Sequence, residues 1–255
     1  MKRLNTILST LLVAALAGCG GGGDGSNDSG QQPLPAAKIE GAWQGTVSNG
    51  NTLQLIALED NSFWGIFGRT VGNVLIVDGF ARGSGQVSGN QFTGSQREYD
   101  SAGNTYIGSF AGAVSNGISI TGSTSFAGGS AATYSLTPIP TAQFDYQRTA
   151  AVSEIAGAWN GQFIDGASGA ISINGSGQLS GSSSGCSFTG TVAPRSSGRN
   201  IFNFSVTFGG GNCLLPGQTM SGIAVQYRTT AGTSQLIAGA TDSSGSLGQM
   251  FLAQR

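Results

Sequence analysis

Ile201-Phe202-Asn203-Phe204-Ser205-Val206-Thr207-Phe208 is the stretch that decides the fold. Phe202, Phe204, Val206 and Phe208 fall on one side of an extended chain; Asn203, Ser205 and Thr207 fall on the other. A period of two over eight residues describes a strand with one buried face. Ile223-Ala224-Val225-Gln226-Tyr227 and Ile118-Ser119-Ile120-Thr121 repeat the pattern more briefly. Asn49-Gly50, Asn116-Gly117, Asp165-Gly166 and Asn174-Gly175 mark hairpin turns, because such pairs tolerate the positive φ angles of primed turns. Working outward, the runs between turns predict strands near 42–48, 52–58, 62–68, 74–82, 90–98, 105–114, 117–126 and 131–148. A second set follows near 158–164, 169–174, 177–182, 186–193, 200–208, 219–228, 234–241 and 247–254. No amphipathic helix of useful length is present, and Ser153-x-x-Ala156 fits one helical turn with Ser153 as its cap.

About eight short antiparallel strands per set, joined mostly by hairpins, predict a closed up-and-down barrel. Closure removes the edges that a Gly-rich sheet would otherwise expose. A two-sheet sandwich is the alternative. The three tryptophans, Trp43, Trp64 and Trp159, are too few for the two aromatic girdles of a membrane-spanning barrel.

The two sets are a duplication. Ile39-Glu40-Gly41-Ala42-Trp43-Gln44-Gly45 and Ile155-Ala156-Gly157-Ala158-Trp159-Asn160-Gly161 both read I-x-G-A-W-x-G. Phe144-Asp145-Tyr146-Gln147-Arg148 and Phe251-Leu252-Ala253-Gln254-Arg255 both read F-x-x-Q-R. Tryptophan and arginine are 105 residues apart in the first (43 to 148) and 96 in the second (159 to 255). The fold class is therefore all-β, two tandem small antiparallel barrels. Residues 38–148 form the first domain, 149–156 a linker and 157–255 the second domain, each long enough to own a core.

Composition restricts the chemistry. The chain of 255 residues has no histidine, which removes His-based triads, histidine metal sites and a histidine pH switch. Beyond residue 18, Lys38 is the only lysine, so a Ser-Lys dyad or Schiff-base lysine is not expected. Glu59-Asp60 and Glu98-x-Asp100 are the only close acidic pairs, and both read as solvated hairpin ends rather than an acid/base pair for glycoside cleavage. Asp100 to Asn104 lacks the acidic ligand set of a calcium loop. Gly83-Ser84-Gly85 and Gly175-Ser176-Gly177 read as turns, since no helix follows to make a phosphate cradle. No cofactor, no metal and no catalytic residue is expected. There is no basic stripe for nucleic acid.

The N-terminus carries an address. Met1-Lys2-Arg3 is basic, Ile7 to Ala17 is mostly apolar, and Leu16-Ala17-Gly18-Cys19 closes the run. This resembles the lipobox of bacterial lipoproteins. The resemblance implies cleavage after residue 18 and lipid attached to Cys19; the alternative is an ordinary cleaved secretion signal with an incidental cysteine. Without Lys2 and Arg3 the basic count falls from 11 to 9 against 12 acids, a net charge of −3 by difference. Residues 20–37 are Gly- and Ser-rich up to Leu34 and read as a flexible tether, with a reach of about 25 Å. In Gram-negative lipoproteins an aspartate after the lipidated cysteine retains the protein at the inner membrane; Gly20 stands there instead, which implies the outer membrane. With Cys19 lipidated, Cys186 and Cys213 remain as an even pair in an oxidising compartment and are expected to form a disulfide, the alternative being two buried thiols.

The domain borders resemble lipocalin-type (calycin) barrels, which open on G-x-W and place an arginine on or after the last strand over the tryptophan at the closed end. The resemblance assigns that role to Gly41, Trp43 and Arg148, and to Gly157, Trp159 and Arg255. The alternative is that these residues serve stability only. The duplicated layout on a lipid tether is also similar to Gram-negative surface lipoproteins such as the transferrin-binding lipoproteins. The expected function is a non-catalytic binding module of the envelope or surface, held to the outer membrane by its lipid, meeting another protein or a glycan. The alternative is a lipocalin-like carrier of a small apolar ligand, for which side chains such as Phe202, Phe204, Phe208 and Tyr227 would line a cavity on the order of 300 Å³.

Overall fold

The computed structural model describes residues 37–71, 74–115, 117–213, 215–229 and 232–255. The signal segment, Cys19 and residues 20–36 of the tether lie outside the described residues. Two closed antiparallel barrels of eight strands each follow in sequence. The first consists of β1 (Gly41–Val47), β2 (Thr52–Ala57), β3 (Ser62–Val71), β4 (Val74–Ser88), β5 (Gln91–Asp100), β6 (Thr105–Ser115), β7 (Ser119–Phe126) and β8 (Ala131–Pro138). A single helical turn, α1 (Val152–Ile155), precedes the second. That barrel consists of β9 (Gly157–Phe163), β10 (Ser168–Ile173), β11 (Gln178–Ser183), β12 (Cys186–Pro194), β13 (Phe202–Phe208), β14 (Thr219–Arg228), β15 (Ser234–Thr241) and β16 (Gly248–Gln254). Each first strand pairs with its last, Gln44 opposite Thr137 and Asn160 opposite Gln254.

Three local expectations are corrected. The eighth strand stops at Pro138 rather than running to residue 148, because Ile139 and Pro140 leave the sheet and residues 141–143 turn. Proline cannot donate to the ladder, and the chain uses the break to depart. Ser153 lies inside α1; Ala151 is the cap residue and no side chain caps the turn. Gly83-Ser84-Gly85 is not a turn but the middle of β4, where a Cβ on Gly83 would sit 2.3 Å from the Phe63 ring.

The alternating pattern produces three cores rather than two. Inside the first barrel, Phe63, Phe92 and Phe110 pack edge-on and tilted with Trp43, Leu55 and Leu136. Inside the second, Phe163 packs against Phe188 and Phe251, in one apolar cluster with Phe202 and Trp159. The third core lies between the barrels. Ile56, Trp64, Ile66 and Phe80 on the outside of the first meet Ile223, Val225, Tyr227, Ile237 and Met250 on the outside of the second. Ile139, Phe144 and Tyr146, from the chain that leaves β8, fill the seam, with Phe144 4.7 Å from Tyr227 between ring centroids. Tyr227 thus faces this seam and lines no barrel interior. Strands β2–β4 and β14–β16 are apolar on both faces because both are covered.

Polar ties fix how the barrels lie. At one end Arg195 bridges to Glu59 (2.8 Å) and Asp60 (2.9 Å), and Arg199 to Glu40 (2.6 Å). At the other, the Tyr99 hydroxyl donates to the Gly245 carbonyl (2.6 Å) and Thr105 Oγ1 to that of Ser246 (3.0 Å). Ties at both ends set the barrels side by side. The first set of ties marks the ends that Trp43 and Trp159 plug; the second marks the mouths, so both mouths open at the same end.

Candidate binding sites at the barrel ends

The repeated I-x-G-A-W-x-G motif builds both plugs. Trp43 Nε1 donates to the Ile39 carbonyl and Trp159 Nε1 to the Ile155 carbonyl, each at 2.8 Å. Both bonds span four residues, and both isoleucines are fully buried. To bend the chain back, Gly41 and Gly157 take φ of +150° and +113°, a region L side chains rarely adopt. The motif's last glycine answers to closure: a Cβ on Gly45 would fall 1.8 Å from the Ser135 carbonyl oxygen, and one on Gly161 2.0 Å from that of Leu252.

Arg255 completes the second plug. Its guanidinium carbon lies 4.0 Å from the Trp159 ring centroid, and it donates to the carbonyls of Glu154 and Ala156, both at 2.7 Å. Arg148 does not take the matching place in the first barrel. It pairs with the Glu154 carboxylate and reaches Asn200 Oδ1 (3.3 Å), tying the linker to the second barrel. The closing register gives the reason. Gln44 opposite Thr137 corresponds to Asn160 opposite Gln254, so the residue that corresponds to Arg255 is Pro138. Trp43 to Pro138 is 95 residues, against 96 for Trp159 to Arg255; the 105-residue spacing to Arg148 was the signal that its F-x-x-Q-R lay past the barrel.

Cys186 and Cys213 are disulfide-bonded, Cα atoms 4.5 Å apart, and staple the start of β12 to the loop before β14 at the mouth of the second barrel.

The interiors differ. The second barrel leaves about 50 Å³, walled by aliphatic and aromatic groups such as Phe188, Phe204 and Met220. The first leaves about 120 Å³ toward its mouth, where Leu53, Phe67 and Phe110 share the wall with Gln96, Glu98, Thr124 and Tyr134. Gln96 Nε2 donates to Glu98 Oε1 at 3.1 Å. Burial pushes the Glu98 carboxyl up to about 7 and the Tyr134 phenol to about 12. Glu98 is therefore no solvated hairpin end. Strand alternation missed it because its neighbours Arg97 and Tyr99 look outward, both bonded to the Gly245 carbonyl. The other acidic groups are engaged structurally: Glu59 and Asp60 hold Arg195, and Asp100 accepts from the backbone of Ala102 and Asn104. A wider cleft of about 380 Å³ lies over the mouth of the second barrel, between Tyr99 and Asp100 of the first and Phe163, Phe208, Leu215 and Leu247 of the second.

Large apolar side chains are exposed mainly at the mouth end. Val71 ends β3, Ile76 lies near the start of β4, Tyr106 and Ile107 open β6, and Leu247 precedes β16; among the described residues Ile118 is the one at the plugged end.

No family model matches the chain. No curated protein was found to match it. Among solved structures, a double mutant of the vaccine antigen transferrin binding protein B from Haemophilus parasuis Hp5 is 11% identical, with 86% of this chain and 60% of that chain covered and a TM-score of 0.28. A single mutant of the same antigen is 10% identical, with 80% and 65% covered and a TM-score of 0.25. This chain spans less than two thirds of the length of either. Likeness of that degree assigns no role to any residue.

Proposed function

We propose that this protein is a non-catalytic binding module of the bacterial envelope, lipid-anchored through Cys19 at the outer membrane, whose mouth end docks another protein. The observation that carries the reading is the polarity of the double barrel. The Ala37 amide donates to the Gly89 carbonyl (2.9 Å) in the β4–β5 turn, so the chain enters at the plugged end. Val71, Ile76, Tyr106, Ile107 and Leu247 stand exposed at the opposite end. The mouths and that apolar rim thus lie at the end away from Ala37, where the described chain begins. Exposed large apolar groups gathered toward one end fit a protein contact, and they favour a protein over a glycan as the partner. The carrier reading is weaker: the barrel interiors, about 50 and 120 Å³, fall well short of a site for a lipid-sized ligand.

The test is a pull-down of tagged mature protein from its own envelope fraction, beside a variant with Ile76→Asp and Ile107→Asp. Recovery of one stoichiometric protein by the parent and its loss in the variant supports the reading; equal recovery by both refutes it. Metabolic labelling with a tritiated fatty acid, compared between the parent and Cys19→Ala, tests the anchor.

A further inference from the structure

We infer that the cavity of the first barrel is a binding site for a small hydrophobic amine, its ammonium paired with Glu98 and its hydrocarbon part packed among Leu53, Phe67 and Phe110.

Three observations lead there. The first is chemical contrast: the lining is mostly apolar, its polar members are Asn49, Asn51, Gln96, Thr124, Tyr134 and Glu98, and Glu98 is the one carboxyl among them, beside Gln96 on β5. The second is charge. None of the lining residues is basic. The arginines nearest in sequence turn away: Arg82 lies over the Trp64 ring and donates to Thr241, and Arg97 donates to the Gly245 carbonyl. What faces Glu98 is neutral or acidic. Ala81 pairs with it from β4 and Tyr106 from β6, and Tyr134 lines the same space. Asp100, two residues along β5, adds a carboxylate at the rim, bonded to Asn104 and Tyr106. Among the described residues Glu98 has a single amide donor, Gln96, and no ion pair, and such a carboxyl selects a ligand that brings positive charge. The third is size. About 120 Å³ is slightly less than the roughly 150 Å³ that admits benzene in an engineered apolar cavity. The space therefore takes a hydrocarbon of about five or six carbons, with longer ligands projecting through the mouth.

The elevated pKa of Glu98 agrees with this arrangement, and it gives the site a pH dependence. An ammonium pairs with the ionised carboxylate. Binding is full above pH 7 and weakens as pH falls below it, because the proton must then be displaced.

The experiment measures Kd for cyclopentylamine, cyclopentanol and cyclopentanecarboxylate by ligand-observed NMR, using the full chain at pH 5, 6.5 and 8. Expected at pH 8 is an amine Kd at least tenfold tighter than the alcohol's, with no binding of the carboxylate. The amine's advantage shrinks about tenfold for each pH unit below 7. Glu98→Gln makes amine and alcohol equal. Ala132→Trp, which narrows the mouth without touching Glu98, abolishes binding of both. Should Glu98→Gln fail to fold by circular dichroism, the pH slope and Ala132→Trp decide instead. Equal affinities for amine and alcohol in the parent, an amine preference that survives in folded Glu98→Gln, or no binding by the parent at 10 mM ligand would each overturn the inference. Docking of a protein at the mouth rim does not depend on the outcome.

Discussion

Replacing Glu98 by glutamine is expected to stabilise the protein at neutral pH and leave it unchanged in acid. In the folded chain the carboxyl is held up to about 7 by burial, against an ordinary value of 4.5. Each tenfold change in proton affinity is worth about 1.4 kcal/mol, so the displacement corresponds to about 3 kcal/mol. The sign follows from which state binds the proton more tightly. The folded state does, so stability from this group is fully present below pH 4.5. It drains away as pH rises from 4.5 to 7, when the unfolded chain has already ionised. Glutamine keeps the acceptor that Gln96 Nε2 uses and carries no charge. The difference between variant and parent should therefore be near zero at pH 4 and about 3 kcal/mol in favour of the variant at pH 8. Urea titrations followed by tryptophan fluorescence at one-unit intervals measure it. Carboxylates such as Asp60 and Asp242, whose hydrogen bonds outweigh burial and hold them below their ordinary value, act with the opposite sign. They are common to both proteins and cancel in the difference. Parallel pH profiles for parent and variant would refute the reasoning.

Arg255→Met, which removes the cation over Trp159 and two hydrogen bonds to carbonyls, should cost about 2–3 kcal/mol, whereas Arg148→Met, breaking one half-exposed ion pair, should cost about 1 kcal/mol or less in the same urea assay. Cys186→Ala with Cys213→Ala opens a loop with a sequence separation of 27 and should remove about 3–4 kcal/mol, read as a lower melting temperature that reductant no longer changes. Trp64→Ala empties the seam between the barrels at a cost of about 3–5 kcal/mol and should split unfolding into two calorimetric transitions; one unchanged transition would show that the seam does not couple them.

Much of the architecture was legible locally. Apolar-alternating runs between turn residues, four Asn-Gly or Asp-Gly pairs among them, pointed to about eight strands per set, and each barrel has eight; the duplicated I-x-G-A-W-x-G placed both plugs. That motif reads clearly because each of its residues answers a short-range demand: a buried carbonyl four residues back from the indole, a positive φ, and a closing strand too near for a Cβ. The misreadings share a cause. Phe144-Asp145-Tyr146-Gln147-Arg148 resembles the end of the second barrel in letters but lies ten residues beyond the position that register assigns. Tyr227 looks like a cavity residue because alternation says only that a face is apolar, not what covers it. Glu98 looks like a turn-flanking acid because nothing nearby in the chain states that it points inward.

Local sequence alone determined the strands, the turns and the two plugs, since each depends on residues whose constraint is backbone geometry; the pairing of Cys186 with Cys213 was an expectation that rested on setting Cys19 aside, and the structure shows the bond. Only the tertiary structure decided that two barrels share a third apolar core, that their mouths open together, and that one half-buried carboxyl faces a cavity with no basic residue in its lining. The physical reason is that those properties depend on contacts between residues more than a hundred positions apart, such as Arg199 with Glu40 and Tyr99 with Gly245, where neither partner carries any mark of the other.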